Sequence, residues 1–262
     1  MDDAVRFVIG NIAEAVADAI VNPVNSQFQL GSAGVNGALL MIGGAELADA
    51  CRDLATGVGS VRVTEPGRLR TRHVIHAVSP AWRGGDAGER DELRRVHELV
   101  VETAARLGCR TLALPAIACG THGAGFPPEI AGEIAVGAVE SALGRHPGLE
   151  RADFVFRNRT ILHDYAARSS STASHQLGVR ALRDEIAEIL GRGVNASIAA
   201  EVLDVDDDEV LREIHDTART IVDEEGGFSS LSIAAVYARA ARLVLHGERT
   251  ARVPALDGRA AR

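Results

Sequence analysis

The stretch Asp18-Ala19-Ile20-Val21-Asn22-Pro23-Val24-Asn25-Ser26-Gln27, continued by Gly31-Ser32-Ala33-Gly34-Val35-Asn36-Gly37, decides the class of fold. Ala19 to Asn22 reads as a short buried strand, because it is apolar and rich in β-branched residues. A Gly-rich turn follows, and apolar residues then recur with helical spacing over Gly37 to Leu54. Strand, Gly-rich turn and helix together form the repeating unit of an α/β domain. The glycines allow backbone to approach a ligand closely, and a helix start offers free amides, so the turn reads either as an anion site or as an ordinary tight turn.

Outward from this unit the same alternation continues. Val5 to Ile9, Val58 to Val63, His73 to Val78, Thr111 to Leu114 and Asp153 to Phe156 read as further strands. Asp91 to Leu107, Pro128 to Leu143 and Thr160 to Ala167 read as helices, with Pro127 and Pro128 suited to a first helical turn. A second Gly-rich loop runs from Pro115 to Pro127, again between a strand and a helix. Ligands of open α/β sheets sit at the carboxyl ends of strands, and two such loops suit a diphosphate held by backbone amides.

Composition narrows the chemistry. The 262 residues carry 28 basic and 36 acidic side chains, a net charge of −8, and every basic one is Arg. With no lysine, Schiff-base chemistry and a P-loop lysine are excluded, and the acidic balance argues against general affinity for nucleic acid. Cys51, Cys109 and Cys119 are odd in number and lack a C-x-x-C pair, so neither a disulfide framework nor a zinc cluster is expected. No stretch is long and apolar enough for a membrane span, and a soluble cytoplasmic protein needing no cofactor is the expectation.

Five motifs, in order, carry a resemblance: Gly10-Asn11-Ile12, Asp18 to Asn25, Gly31 to Leu39, His73-Val-Ile-His-Ala-Val-Ser-Pro80, and Pro115 to Pro127. The chain resembles the macrodomain family over residues 4 to 167. The resemblance implies a three-layer α/β/α macrodomain, with a mixed six-stranded sheet between helices and a cleft for ADP-ribose. It implies hydrolysis of ADP-ribosyl esters, on acidic side chains or in O-acetyl-ADP-ribose. The alternative is a non-catalytic ADP-ribose reader or adaptor.

Carried over residue by residue, the resemblance assigns Asn11 and Ile12 to adenine, where the family usually has Asp in place of Asn11. An amide oxygen still accepts a hydrogen bond, without charge assistance. Phe156 would stack on the adenine with Asn158 beyond it, or else belong to the core of an alternating strand. Asn22 and Asn25 match the family's paired asparagines, Asn25 holding the distal ribose, with Asx-turn roles as the plainer reading. Gly34 and Val35 border the diphosphate. Asn36 stands where hydrolytic members carry Asp; it cannot be a general base, although it can orient a water that substrate phosphate deprotonates. In the second loop, Cys119, Gly120, Thr121, His122, Gly123 and Phe126 are ligand candidates. His122 replaces a Tyr or Phe and is either a base or a ribose platform. Cys119 reads as a small loop residue and His76 as a satisfied interior histidine. The catalytic candidates are therefore Asn25, Asn36 and His122, with no metal.

The remaining third reads differently. Residues 1–168 form the first domain, 169–175 a small polar linker, 176–246 a helical domain and 247–262 a tail. From residue 175 onward 11 arginines face 16 acids. Leu203, Val205, Val210 and Ile214 occupy the core positions of a helix-turn-helix. The second helix, however, begins Asp206-Asp207-Asp208-Glu209, which would meet DNA phosphates with like charge. A small all-α module for a protein partner or self-association is the expectation, with those carboxylates capping the helix.

Overall fold

The computed structural model describes residues 4–25, 31, 33–52, 54, 57–119, 125–191, 196–205, 207–224 and 233–247. Of the sequence-derived site residues, Gly120, Thr121, His122 and Gly123 lie outside these, as do Asp206 and the tail from residue 248. Two compact units are present, residues 1–178 and 179–262.

In the first unit, β1 (Val5–Ile9), β2 (Ala19–Val24), β3 (Val61–Thr64), β4 (His73–Val78), β5 (Thr111–Leu114) and β6 (Arg151–Phe156) form one sheet in the order β1-β6-β5-β2-β4-β3. All neighbours are parallel except the β3–β4 pair, so the sheet is mixed, as expected. The parallel strands carry apolar residues on both faces, as a sheet covered twice requires. On one face Ile20, Val24, Val74 and Val78 pack with Leu39, Leu47 and Cys51 of α1 (Gly34–Cys51). The other helices of this unit are α2 (Glu89–Arg106), α3 (Pro128–Arg145) and α4 (Arg159–Ala166), with α2 and α4 each packed on α3.

Several details depart from the sequence reading, among them β3, which runs over Val61–Thr64 and not Val58 to Val63. First, α1 begins three residues earlier than expected and is kinked at Gly44, whose φ of 75° lies outside helical space. A Cβ there would clash with the Arg68 guanidinium. Second, β2 continues through Pro23 to Val24, although Pro removes a ladder donor. The Val24 carbonyl accepts from Ser79 N–H on the β4 side. By strand alternation the Pro23 backbone therefore faces the β5 side, and β2 pairs with β5 only at Ala19 and Ile20.

Third, the polar linker is largely helical. α5 (Thr172–Gly191) begins inside it, and the division between units falls after Gly178 rather than at 169–175. Local hydrogen bonds that composition does not reveal are responsible. Ser169 and Ser170 donate to the Glu140 carboxylate at 3.1 and 3.5 Å, and Ser171 Oγ accepts from Ser174 N–H at 3.4 Å. Gly178, lacking a Cβ, lets α5 approach Ala166 of α4.

The second unit is all-helical among the described residues. The rest of α5 is followed by α6 (Ala196–Leu203), α7 (Asp208–Glu224) and α8 (Ile233–His246), around Leu182, Ile186, Leu190, Val202, Leu211, Ile214 and Val236. Asp207 caps α7 by accepting from Glu209 N–H at 2.9 Å, and Asp208 pairs with Arg212 at 2.6 Å. Ile214 is buried and Val205 and Val210 pack beside it, but Leu203 is 49% exposed and not the core position expected. No helix among the described residues is long and apolar enough to cross a membrane.

Candidate functional site

Because five strands run parallel, their carboxyl ends share one edge of the sheet. The turn after β1, the segments after β2, β4 and β5, and Arg157-Asn158 after β6 all open there. This single topological fact brings together candidates that lie more than 140 residues apart in sequence.

The middle of the edge is built on β2. Asn22 shares the α1-facing side with Ile20 and Val24, and it is 2% exposed. Its Nδ2 donates to His76 Nδ1 at 3.2 Å across the register pair Asn22–His76. His76 Nε2 in turn meets Thr64 Oγ1 at 2.9 Å and Cys51 Sγ at 3.5 Å. Burial pushes the imidazole down to about 4, so it is neutral at physiological pH. His76 is thus the satisfied interior histidine that the sequence reading expected. The Asn22 Oδ1 atom has no protein partner and is fully enclosed, a condition that buried polar atoms rarely tolerate without a reason.

Asn25, directly beyond β2, is exposed at the edge. Asn36, in the first turn of α1, donates from Nδ2 to the Pro23 carbonyl at 3.0 Å. It thereby supplies the partner that β5 has ceased to provide, and a carboxylate at this position would have no proton to give. Its Oδ1 is enclosed and unpaired like that of Asn22. Gly34 opens α1 with φ of 63°, and a Cβ there would meet nothing within 4 Å, so conformation and not crowding favours glycine. Val35 is half-buried beside it.

Beyond β5, the two arms of the second loop are tied where Phe126 N–H donates to the Ala118 carbonyl at 3.2 Å. Ala118 takes φ of 69°, the one non-glycine residue at positive φ among those described. Such strain costs about 1–3 kcal/mol and gathers at functional loops; nothing in an Ala-Ile-Ala-Cys sequence announces it. Cys119 turns its thiol towards Tyr165 Oη at 3.4 Å, and burial raises the thiol to about 11. A thiol so disposed is no nucleophile at neutral pH.

The segment after β4 contributes residues that the sequence reading missed. Trp82 packs on Phe126 at 5.0 Å, and Arg90 lies 5.7 Å over the Trp82 ring. Glu89 fixes this segment from within: its buried carboxylate accepts from Arg83, Gly85 and Ala87 N–H at 2.7–2.9 Å. Burial acts to raise its pKa, but the backbone donors outweigh it and hold the group at about 2. The signal was present in sequence, as Gly84, Gly85 and Gly88 before an acidic helix start.

Three ligand candidates make other contacts in the structure. Phe156 is 3% exposed, its ring packed with Phe7, Phe154 and Tyr165 at 5.1–6.4 Å, so the ring belongs to the core. The ring of Phe126 is committed in the same way to Trp82. Asn158 caps α4 by accepting from Ile161 N–H at 3.1 Å, which occupies its amide oxygen. At the outer end, Asn11 caps the short 3-10 turn Ile12–Glu14 with Oδ1 on Ala13 N–H at 3.2 Å, while Ile12 is buried.

A separate cavity of about 490 Å³ opens at the opposite, amino end of β1, lined by Val5, Leu143 and Leu149. The Glu140 carboxylate in its wall already accepts from Ser169 and Ser170. No cluster of three or more metal-ligating side chains exists among the described residues.

A family model for the Macro domain matches residues 21–135. A macro-domain-containing protein of Cupriavidus necator is 40% identical over 155 residues, covering 57% of this chain and 88% of the relative. An O-acetyl-ADP-ribose deacetylase of Enterobacter sp. (strain 638) is 36% identical over 160 residues, covering 59% and 87%. Among solved structures, the Trypanosoma brucei macrodomain in complex with ADP-ribose matches with a TM-score of 0.56 and 27% identity, over 62% of this chain and 67% of that one.

Proposed function

The chain belongs to the macrodomain family, and from that premise we propose that it binds ADP-ribose along the carboxyl edge of the sheet and hydrolyses an ADP-ribosyl ester. The observation that carries this reading is the amide-rich centre of that edge: Asn25 exposed at the end of β2, flanked by the enclosed, unpaired oxygens of Asn22 and Asn36. Amide side chains both donate and accept, which suits a ribose bearing several hydroxyls. Relatives named O-acetyl-ADP-ribose deacetylase favour the ester as substrate.

In this reading Asn25 holds the distal ribose and the Gly34–Val35 turn borders the diphosphate. Water attacks the ester carbonyl and gives its proton to a substrate phosphate oxygen. The carbonyl carbon–oxygen bond then breaks, and the ribose oxygen takes that proton back from the phosphate and leaves as a hydroxyl. His122 acts either as a proton shuttle or as a ring beneath the ribose. Asn36 supports a second reading, a reader that binds without turnover, because an amide cannot act as a general base and its nitrogen is engaged by the Pro23 carbonyl. The second unit serves in either case as a protein-interaction module, since α7 opens with carboxylates that would repel a phosphate backbone.

The test incubates the full chain with mono-ADP-ribosylated protein and with O-acetyl-ADP-ribose, while free ADP-ribose is titrated by calorimetry. Binding with release of product is expected, and Asn25→Ala lowers turnover by about 100-fold, the usual effect of removing one positioned hydrogen-bonding group. Binding without release establishes the reader, and absence of binding overturns the ligand. His122→Phe with unchanged turnover and pH profile assigns the ring role.

A further inference from the structure

Ala118 keeps a left-handed backbone that its own sequence does not demand. Its φ of 69° stands between two neighbours that are not at positive φ, and such a conformation persists only where the surroundings over-determine it. Those surroundings come from another part of the chain. In the sheet, β2 lies between β5 and β4. Phe126, which follows β5, and Trp82, which follows β4, nevertheless meet with ring centroids 5.0 Å apart, so their contact joins the segments on either side of β2. Phe126 is buried, and its N–H donates to the Ala118 carbonyl at 3.2 Å, the bond that ties the two arms of the second Gly-rich loop. Whatever presses on Phe126 therefore bears on the backbone of Ala118.

Trp82 is itself backed from behind. Arg90 lies 5.7 Å over its ring, and Gly85 stands so close that a Cβ there would come within 3.0 Å of the indole. The buried Glu89 carboxylate fastens the same segment by accepting from Arg83, Gly85 and Ala87 N–H. A reversal of φ between successive residues turns backbone N–H groups to one side and forms a concavity suited to an anion. The loop shaped in this way at Ala118 is one of the two that suit the diphosphate.

Resting on the ADP-ribose reading above, we propose that Trp82 is a positioning residue for ligand binding, a wedge behind Phe126 that holds Ala118 in the left-handed conformation shaping the second loop. The indole touches no ligand in this role. Its effect passes through Ala118, and glycine at that position makes the wedge dispensable, because glycine adopts positive φ without steric cost.

The test measures the ADP-ribose affinity of the full chain by calorimetry, well below the melting temperature of each variant, so that folded protein alone is compared. Trp82→Ala weakens binding by about tenfold, the size of effect expected when one strained residue is released to a relaxed conformation. Trp82→Phe, which keeps a ring against Phe126, stays within about threefold of the unmodified protein. Ala118→Gly alone also stays within about threefold, and Trp82→Ala combined with Ala118→Gly recovers to the same range, a non-additivity that marks the two residues as coupled. If the alanine variant does not fold, Trp82→Leu, which keeps apolar volume, takes its place in the same set. Unaltered affinity on removal of the indole overturns the proposal. So does a loss that Ala118→Gly leaves in place, which makes Trp82 a ligand contact or a general support of the fold. Both of these outcomes leave ADP-ribose binding intact, whereas failure of the unmodified protein to bind ADP-ribose overturns the reading beneath as well.

Discussion

The two edges of the sheet treat polar groups in opposite ways. At the amino edge strong groups are paired: Asp18 accepts from Arg110 N–H, Thr111 N–H and Thr111 Oγ1 at 2.8, 3.0 and 3.3 Å. Its backbone carbonyl takes Thr71 Oγ1, Arg72 N–H and His73 N–H, so that one residue ties β2, β4 and β5 together. Asp153 receives both Arg6 and Arg151, and Arg110 grips Glu150 with two nitrogens. At the carboxyl edge, Asn22 and Asn36 keep enclosed oxygens without partners, and Ala118 holds a left-handed backbone. Stability is concentrated where hydrogen bonding is complete, and binding capacity where it is left incomplete.

Exchanging the two chemistries tests this division. The largest effect is expected from Asn36→Asp, which removes the donor to Pro23 and sets a carboxylate against a carbonyl. It should cost about 3 kcal/mol in urea unfolding, as expected for a buried acceptor left unpaired beside another, and should not raise turnover. A stable, faster Asp variant would show that the amide has no bracing role. Next comes Asp18→Asn, which keeps one acceptor and loses charge assistance, at a cost of about 1.5 kcal/mol with ADP-ribose affinity within twofold of the unmodified protein.

Asp18 also sets a pH window. Burial acts to raise its pKa, but the Arg110 and Thr111 hydrogen bonds and the Arg72 charge bring it below the ordinary 3.8. Its contribution is therefore complete above the unfolded value and fades as pH falls towards the folded one. In Asp18→Asn the unfolding free energy should lose that part of its acid dependence.

The smallest effect comes from the interior histidines. Burial holds both His76 and His97 at about 4. Since the folded value lies below the unfolded 6.5, stability is complete above that pH and declines between about 6.5 and about 4. Between pH 7 and pH 6 each histidine should account for a loss of about 0.7 kcal/mol. His97→Leu should remove its share of that slope, and an unchanged slope would place the acid sensitivity elsewhere.

Most of the architecture was readable because period and punctuation carry it. The strands of β1, β4 and β5 were read at their observed bounds, since short β-branched runs end at polar or Gly-rich turns. The Asn22–Asn25 pair and the two Gly-rich loops were legible as residues at strand ends. The linker was misread because its serines look solvated by composition, while Glu140, Ser171 and Gly178 convert them into the start of α5. Phe156 was left open between ligand and core because an aromatic at a strand end looks alike in sequence whichever its ring meets, and its ring lies in the core.

The sequence by itself determined the class of fold, the division into an α/β and a helical unit, the absence of lysine chemistry and the residues gathered at the site. These follow from local order: hydrophobic period, turn residues and the spacing of motifs. Only the tertiary structure decided which atoms of those residues remain open. Asn36 is a brace because β5 ends beside Pro23, and Asn22 is oriented because His76 lies opposite it in β4. Hydrogen-bond partners are set by strand order and register, which join residues distant in the chain, and residue type alone does not encode which partner each one finds.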